Sequence, residues 1–238
     1  KKLKTIILTT KTDHHNFFIN SILKKFKNID VIFEKKKLKL SYKIFHNFFK
    51  RRKKYEQKFF FKTKVDKVKN YKMFDDVNEK ESINYIKQIN PDNIIIFGTG
   101  LVKKKFLSQF KKCEIVNLHG GNLNFYRGLD SHLWSIYHND FKNLITTLHR
   151  VKEKFDTGEE IFSKRIFLRR NTKLESIRAL NTLNCVGLAT KFLVRRKNGK
   201  KIIKKKNKSL GRYYSAIPAV LIDRCIKNYK NYIKKNDK

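Results

Sequence analysis

The chain has almost no proline: Pro91 and Pro218 are the only two in 238 residues. Glycine is scarce too, at nine residues, which excludes collagen-like, Pro-rich and Gly/Ser-linker architectures. Cysteine is limited to Cys113, Cys185 and Cys225, isolated and without C-x-x-C spacing. An odd, scattered set gives neither a disulfide framework nor a thiolate zinc site, so a reducing cytoplasm and no metal are expected. No run reaches the ~18 apolar residues of a membrane span. The apolar part of the opening KKLKTIILTT is too short for a signal segment, so no membrane span is expected. P-loop and dinucleotide fingerprints are missing as well, since the glycines at 98–100 lack the required spacing.

Acidic residues are the last shortage. Against 58 Lys and Arg stand only 20 Asp and Glu, a net charge of +38. Such an excess suits an anionic partner, nucleic acid included. It equally suits a compositional bias, because Lys, Asn, Ile and Phe are abundant together and the lysines are spread along the chain. The second explanation is preferred here, and a nucleic-acid-binding protein on an inactive enzyme scaffold is kept as the alternative of a different class.

What is present is an alternation of periods. Leu3 to Leu8 is a short β-branched apolar run, a strand; residues 14–27 carry Phe18, Ile22 and Phe26 at helical spacing; residues 29–34 form a second strand. This opening implies a parallel sheet. Residues 35–62 are the most basic and aromatic segment, expected to be helical and to dock Phe45, Phe48 and Phe49 on the sheet. Asn78 with Glu81 suggests a helix N-terminal box before Ile83, Ile86 and Ile89. The apolar run of 93–97, ending in Gly98-Thr99-Gly100, has the pattern of a central strand covered on both faces. Strands follow at CEIVNLH, NLITTLHRV and EEIFSKRIFL, with helices at 130–138, at 174–194 and in the amphipathic tail.

One stretch departs from the lysine-rich background. Residues 116–134 contain Arg127 as their single Lys or Arg, yet hold the only tryptophan and three of the nine glycines. Asn117 and His119 alternate with Leu118, so an extended strand turns both to one face. Gly120 and Gly121 open a notch beside them, at a strand end where α/β sheets bind ligands. His14 and His15, after the first strand, can reach the same crevice or simply be exposed polar groups at a helix start.

These residues resemble the formyltransferase family that uses 10-formyltetrahydrofolate, which includes methionyl-tRNA formyltransferase, glycinamide ribonucleotide transformylase and the sugar N-formyltransferases. The resemblance is carried by NLH (117–119), YRG (126–128), LDSHLWSIYHND (129–140), TLH (147–149) and DTG (156–158), with Thr147 nine positions before Asp156. It implies an α/β fold, Rossmann-like and doubly wound with a mostly parallel sheet. The implied organisation is a catalytic domain over residues 1–195 followed by a basic helical C-terminal extension over 196–238.

By the same resemblance, Asn117, His119 and Asp156 are the catalytic trio. The backbone of Phe97, Gly98, Thr99, Gly100 and Leu101, with Lys154 and Phe155, binds the folate co-substrate. Gly120, Gly121, Arg127, Gly128, Asp130, Ser131 and His132 face the acceptor, with Trp134 read as packed core. The chain departs from the family pattern in carrying GGNLN after His119, Lys154-Phe155 before DTG, and TTKTDHH after the first strand. The expected activity is formyl transfer to an amine, with a nucleotide-linked amino sugar as acceptor; methionyl-tRNA and water are the alternatives. Homo-oligomer formation is left open.

Overall fold

The computed structural model describes residues 3–35, 45–61 and 71–235. Much of the basic segment's first half, residues 36–44, and its last residue, 62, lie outside the described residues. Five parallel strands form the body of the sheet: β1 (Thr5–Thr9), β2 (Ile29–Glu34), β3 (Lys72–Phe74), β4 (Asn93–Phe97) and β5 (Glu114–His119). Two antiparallel neighbours, β7 (Ile145–Arg150) and β8 (Glu160–Arg165), complete a seven-stranded sheet in the order β3-β2-β1-β4-β5-β7-β8. A separate parallel pair joins β6 (Tyr126–Gly128) to β9 (Arg212–Tyr214).

The alternation of apolar side chains along β1 explains the layers. Ile7 joins Phe18, Ile19 and Ile22 of α1 (Asp13–Leu23) and Cys185, Leu188 and Phe192 of α6 (Ile177–Lys197) on one face. Ile6 and Leu8 join Ile83 and Ile86 of α3 (Lys80–Ile89) and Phe106 of α4 (Lys104–Gln109) on the other. β1 and β4 are buried along their whole length. Each fully buried Ile or Phe contributes about 1.5–3 kcal/mol. The sheet is therefore doubly wound, with its switch point between β1 and β4.

A third cluster lies beyond the β5 side. Leu133 and Ile136 of α5 (Ser131–Tyr137) meet Ile222, Cys225 and Tyr229 of α7 (Ile222–Lys235), together with Phe48 of α2 (Asn47–Phe61). Of the aromatics expected to dock, Phe48 and Phe49 pack against helices rather than the sheet, Phe48 beside Leu174 and Ile177 at the start of α6, and Phe60 meets Phe17 of α1, whereas Phe45 is 73% exposed. Residues after 195 are partly extended, since β9 pairs with β6 and Lys205 bridges Glu160. The box expected at Asn78 and Glu81 is not formed. Glu79 caps α3 without a side-chain bond, while Asn78 donates to Asp76 and the Leu101 carbonyl and accepts from the Lys103 N–H. Asn78 thereby ties the loop before α3 to the loop after β4.

Candidate active site

The crevice opens at the carboxyl ends of β1, β4 and β5, where open α/β sheets place ligands. β7 runs back against β5 in a register that sets Asn117 opposite His149 and His119 opposite Thr147. Directly opposed residues share a face, so the register brings Asn117, His119 and His149 together. The turn after β7 then carries Asp156 back over them in a left-handed conformation, φ +52°. Such a backbone is costly for a non-glycine residue, and here it aims a buried carboxylate at the strand ends.

Asp156 is the hub. Its Oδ2 accepts from the Gly128 N–H at 2.8 Å and lies 3.4 Å from His119 Nδ1. Its Oδ1 lies 3.3 Å from both His149 Nε2 and Asn117 Nδ2. The far nitrogens of both rings are committed to carbonyls, which can only accept: His119 Nε2 donates to Tyr126 O and His149 Nδ1 to Arg150 O, each at 2.8 Å. Asn117 Nδ2 is also 3.1 Å from His149 Nε2. Burial alone would raise the Asp156 pKa. The His119 imidazole, the His149 contacts and the Gly128 N–H outweigh it and hold the carboxyl well below the usual carboxylate range. Asp156 is thus an anionic anchor for two imidazoles, and a weak base.

Glycine matters at two points of close approach. A Cβ on Gly121 would lie 2.7 Å from both His119 Nε2 and the Tyr126 carbonyl oxygen, so only glycine lets that hydrogen bond form. Gly98, at φ +82°, has His15 packed where its Cβ would be, 2.5 Å away. His15 Nδ1 meets the hydroxyls of Thr10 and Thr12, and its ring stands edge-on to Phe97. Burial pushes its pKa down to about 3, a neutral ring wedged between β1 and β4.

Above the hub is a cavity of about 320 Å³ lined by Phe97, Gly98, Thr99, Gly100, Leu101, Asn117, His119, Gly120, Gly128, Asp130, His149, Lys154, Phe155 and Asp156, among others. Glu34 fixes its Gly-rich edge from below, accepting from the Gly100 N–H at 2.6 Å and the Val77 N–H at 3.3 Å. Tyr213, from the segment after α6, reaches the cavity and packs on Phe155. The apolar faces of Phe97, Leu101 and Phe155 beside exposed backbone suit a flat heterocycle with a polar edge.

The other residues singled out in the sequence are placed as follows. Arg127 donates through Nε to the Gly211 carbonyl at 2.5 Å and through Nη1 to the Phe155 carbonyl at 3.1 Å. It therefore fastens the Asp156 turn to the segment before β9. The Ser131 hydroxyl bonds Gly128 O at 3.3 Å and lies 3.4 Å from His119 Nε2. His132 is buried behind Gly120, with Nε2 donating to Ile145 O at 3.1 Å, and burial pushes its pKa down to about 4. Trp134 lies against Tyr214 and donates to Ser215 O, outside the cavity lining. His149 was visible only as part of a pattern, and its cross-strand position opposite Asn117 was the signal available. Tyr213 left no signal, because its strand is three residues long. No His, Cys, Asp or Glu group among the described residues has the geometry to hold a metal ion. No described helix is long and apolar enough to cross a membrane.

Known proteins resemble this chain in sequence and in fold. The methionyl-tRNA formyltransferase of Clostridioides difficile (strain 630) is 32% identical over 93 residues, 39% of this chain and 30% of the relative. The chain matches about a third of the length of such curated relatives. Among solved structures, a 4-N formyltransferase from Francisella tularensis superposes with a TM-score of 0.60 at 19% identity, over 97% of this chain and 80% of the other. The formyltransferase PseJ from Anoxybacillus kamchatkensis gives a TM-score of 0.54 at 19% identity, over 89% and 85%. At such identities these two speak for the fold. The formyl transferase family profile matches residues 20–182, well over half of the sequence, and the chain belongs to that family.

Proposed function

We propose that the protein transfers the formyl group of 10-formyltetrahydrofolate to the primary amine of a nucleotide-linked amino sugar. The observation that carries this reading is the convergence of Asn117, His119 and Asp156 on one cavity floor, with two hydrogens only loosely held. The Asn117 N–H is 3.3 Å from Asp156 Oδ1, and a proton on His119 Nδ1 faces Oδ2 at 3.4 Å. Both distances exceed those of strong charge-assisted bonds. An oxyanion arriving between them can take both donors.

The chemistry needs such a floor. The amine lone pair forms a bond to the formyl carbon, and the carbonyl π pair moves to oxygen. Asn117 and His119 donate to that oxyanion, with one such donor worth about 10²–10³ in rate. The carbon–nitrogen bond to the folate then breaks. The proton shed by the amine goes to the departing folate nitrogen, so R–NH₂ becomes R–NH–CHO and tetrahydrofolate is released. Asp156 orients the His119 ring throughout, and its depressed pKa keeps it from taking that proton for itself. Phe97–Leu101, Lys154 and Phe155 bind the folate, and Gly120, Gly128, Asp130 and Ser131 face the acceptor.

An amino-sugar acceptor draws support from the near full-length superposition on sugar-modifying relatives. The PseJ structure is described as a complex with UDP-4,6-dideoxy-4-formamido-L-AltNAc and tetrahydrofolate. The methionyl-tRNA formyltransferases, matched over a shorter stretch at up to 32% identity, favour aminoacyl-tRNA as the second reading. Incubating the protein with 10-formyltetrahydrofolate and either UDP-linked amino sugars, methionyl-tRNA or no acceptor separates the readings. Tetrahydrofolate release that depends on the sugar is expected. Release with methionyl-tRNA alone would replace the acceptor, and free formate without any amine would make the protein a hydrolase.

A further inference from the structure

A second cavity of about 140 Å³ adjoins the first along Gly120, Gly128 and Asp130, which line both. Arg52 of α2 and Arg178 of α6 form its far wall. We propose that Arg52, set beside the Glu56-paired Arg178, is an oxyanion subsite that holds a phosphoryl group of the acceptor while its amine reaches Asn117 and His119. The proposal rests on the acceptor reading above and names the residues that would select a diphosphate-linked sugar.

The charge arrangement supports it. Arg178 is engaged in a two-pronged pair with Glu56, whose side chain is only 4% exposed. That pair closes on itself and fixes the wall. Arg52 is paired differently. Its side chain is 14% exposed and lies over Phe48 and Phe49, and its ion pair with Asp130 Oδ1 is open, at 3.9 Å. The other Asp130 oxygen accepts from the Ile217 N–H. A guanidinium buried against aromatic rings with a carboxylate beyond hydrogen-bonding distance has planar donors to offer, the geometry that suits phosphoryl oxygens. Burial, then the neighbouring Arg178, lowers the Arg52 pKa to about 10. His14, on the first cavity's rim, is held neutral by burial, then by His15, Arg178 and Arg52. Arg52 and Arg178 both line this second cavity, beside Gly120, Gly128 and Asp130. α2 comes from the most basic stretch of the sequence, and this gives one of its arginines a specific task.

The test is titration calorimetry with UDP, inorganic pyrophosphate and glucuronate as probes, on the wild type and on Arg52→Gln and Arg52→Lys. Tetrahydrofolate binding serves as the control for folding and for the family reading. UDP and pyrophosphate are expected to bind the wild type more tightly than glucuronate. Arg52→Gln should weaken UDP at least about tenfold, Arg52→Lys less, with tetrahydrofolate affinity within about twofold of wild type. Equal UDP affinity in wild type and Arg52→Gln would overturn the subsite, as would absence of UDP binding where tetrahydrofolate binds. Glucuronate binding that depends on Arg52 while UDP binding does not would also overturn it. If Arg52→Gln loses tetrahydrofolate binding through misfolding, Arg52→Lys decides by the same criteria. A wild type that fails to bind tetrahydrofolate contradicts the functional reading instead.

Discussion

The floor of the cleft and its acceptor-side wall are assembled from very different distances along the chain. Asn117, His119, His149 and Asp156 come from two hydrogen-bonded strands and the turn that follows them. His14, Arg52 and Arg178 come from three helices and Asp130 from the turn before α5, separated by long intervals, and they meet through helix packing. On the floor, strand register fixes where each polar atom sits, and both imidazoles are locked at their far nitrogen by a backbone carbonyl. On the wall, position depends on how α1, α2 and α6 nest together. Under the proposed function the two regions have two jobs, reaction geometry held by local register and acceptor choice by long-range packing.

The most damaging way to break the floor is to remove the ring it positions. His119→Ala should lower formyl transfer by about 10²–10³, measured as tetrahydrofolate release, while circular dichroism stays native and UDP binding on the wall persists. Gly121→Ala attacks the same ring indirectly, because its Cβ would meet His119 Nε2 and the Tyr126 oxygen at 2.7 Å. A fall of about tenfold to a hundredfold in kcat is expected from misplaced geometry, with little change in UDP affinity. If Gly121→Ala weakened UDP and spared kcat, the division between floor and wall would be wrong.

Arg127 ties the floor's turn to a distant segment through the Phe155 and Gly211 carbonyls. Arg127→Ala should cost about 1.5–3 kcal/mol of stability in urea unfolding and raise the KM for the folate more than that for the acceptor. The pH dependence of stability is more gradual. Burial lowers His15 to about 3 and His132 to about 4. The unfolded chain takes up those protons near pH 6.5, whereas the folded chain resists them until far lower pH. Stability is therefore full above pH 6.5 and falls below it, by up to about 1.4 kcal/mol per pH unit for each ring. Asp156, with its pKa held down, adds a loss only below about pH 4, as the folded state is driven toward protonation. Urea midpoints between pH 7 and pH 4.5 measure this, and a flat profile would contradict the buried neutral rings.

Much of the fold was legible because β1, β2, β4 and β5 are apolar runs whose flanking helices keep a clear 3.6 period. β3, β6 and β9 were not, since three residues cannot display an alternation. The residues on the floor were legible through NLH and DTG, motifs in which spacing along the chain maps directly onto strand geometry. Arg127 shows the limit of reading by residue type. Its place beside a strand end suggested the acceptor side, and two of its guanidinium donors go to carbonyls of the chain. Arg52 shows the reverse: within a run of basic residues nothing distinguished it, and only the crossing of α2 over the start of α6 brings it to the cleft. His14 and His15 were ambiguous for the same reason, as burial at a helix start depends on what packs above it.

The Asn117–His119–Asp156 floor is proposed to perform acceptor-dependent formyl transfer. The most direct test is single-turnover release of tetrahydrofolate from 10-formyltetrahydrofolate with a UDP-linked amino sugar, comparing wild type with Asp156→Asn. Sugar-dependent release by the wild type is expected, with a rate at least about a hundredfold lower in Asp156→Asn and folate binding retained. Equal rates in the two proteins, or a wild type that releases no tetrahydrofolate with any amine, would contradict it.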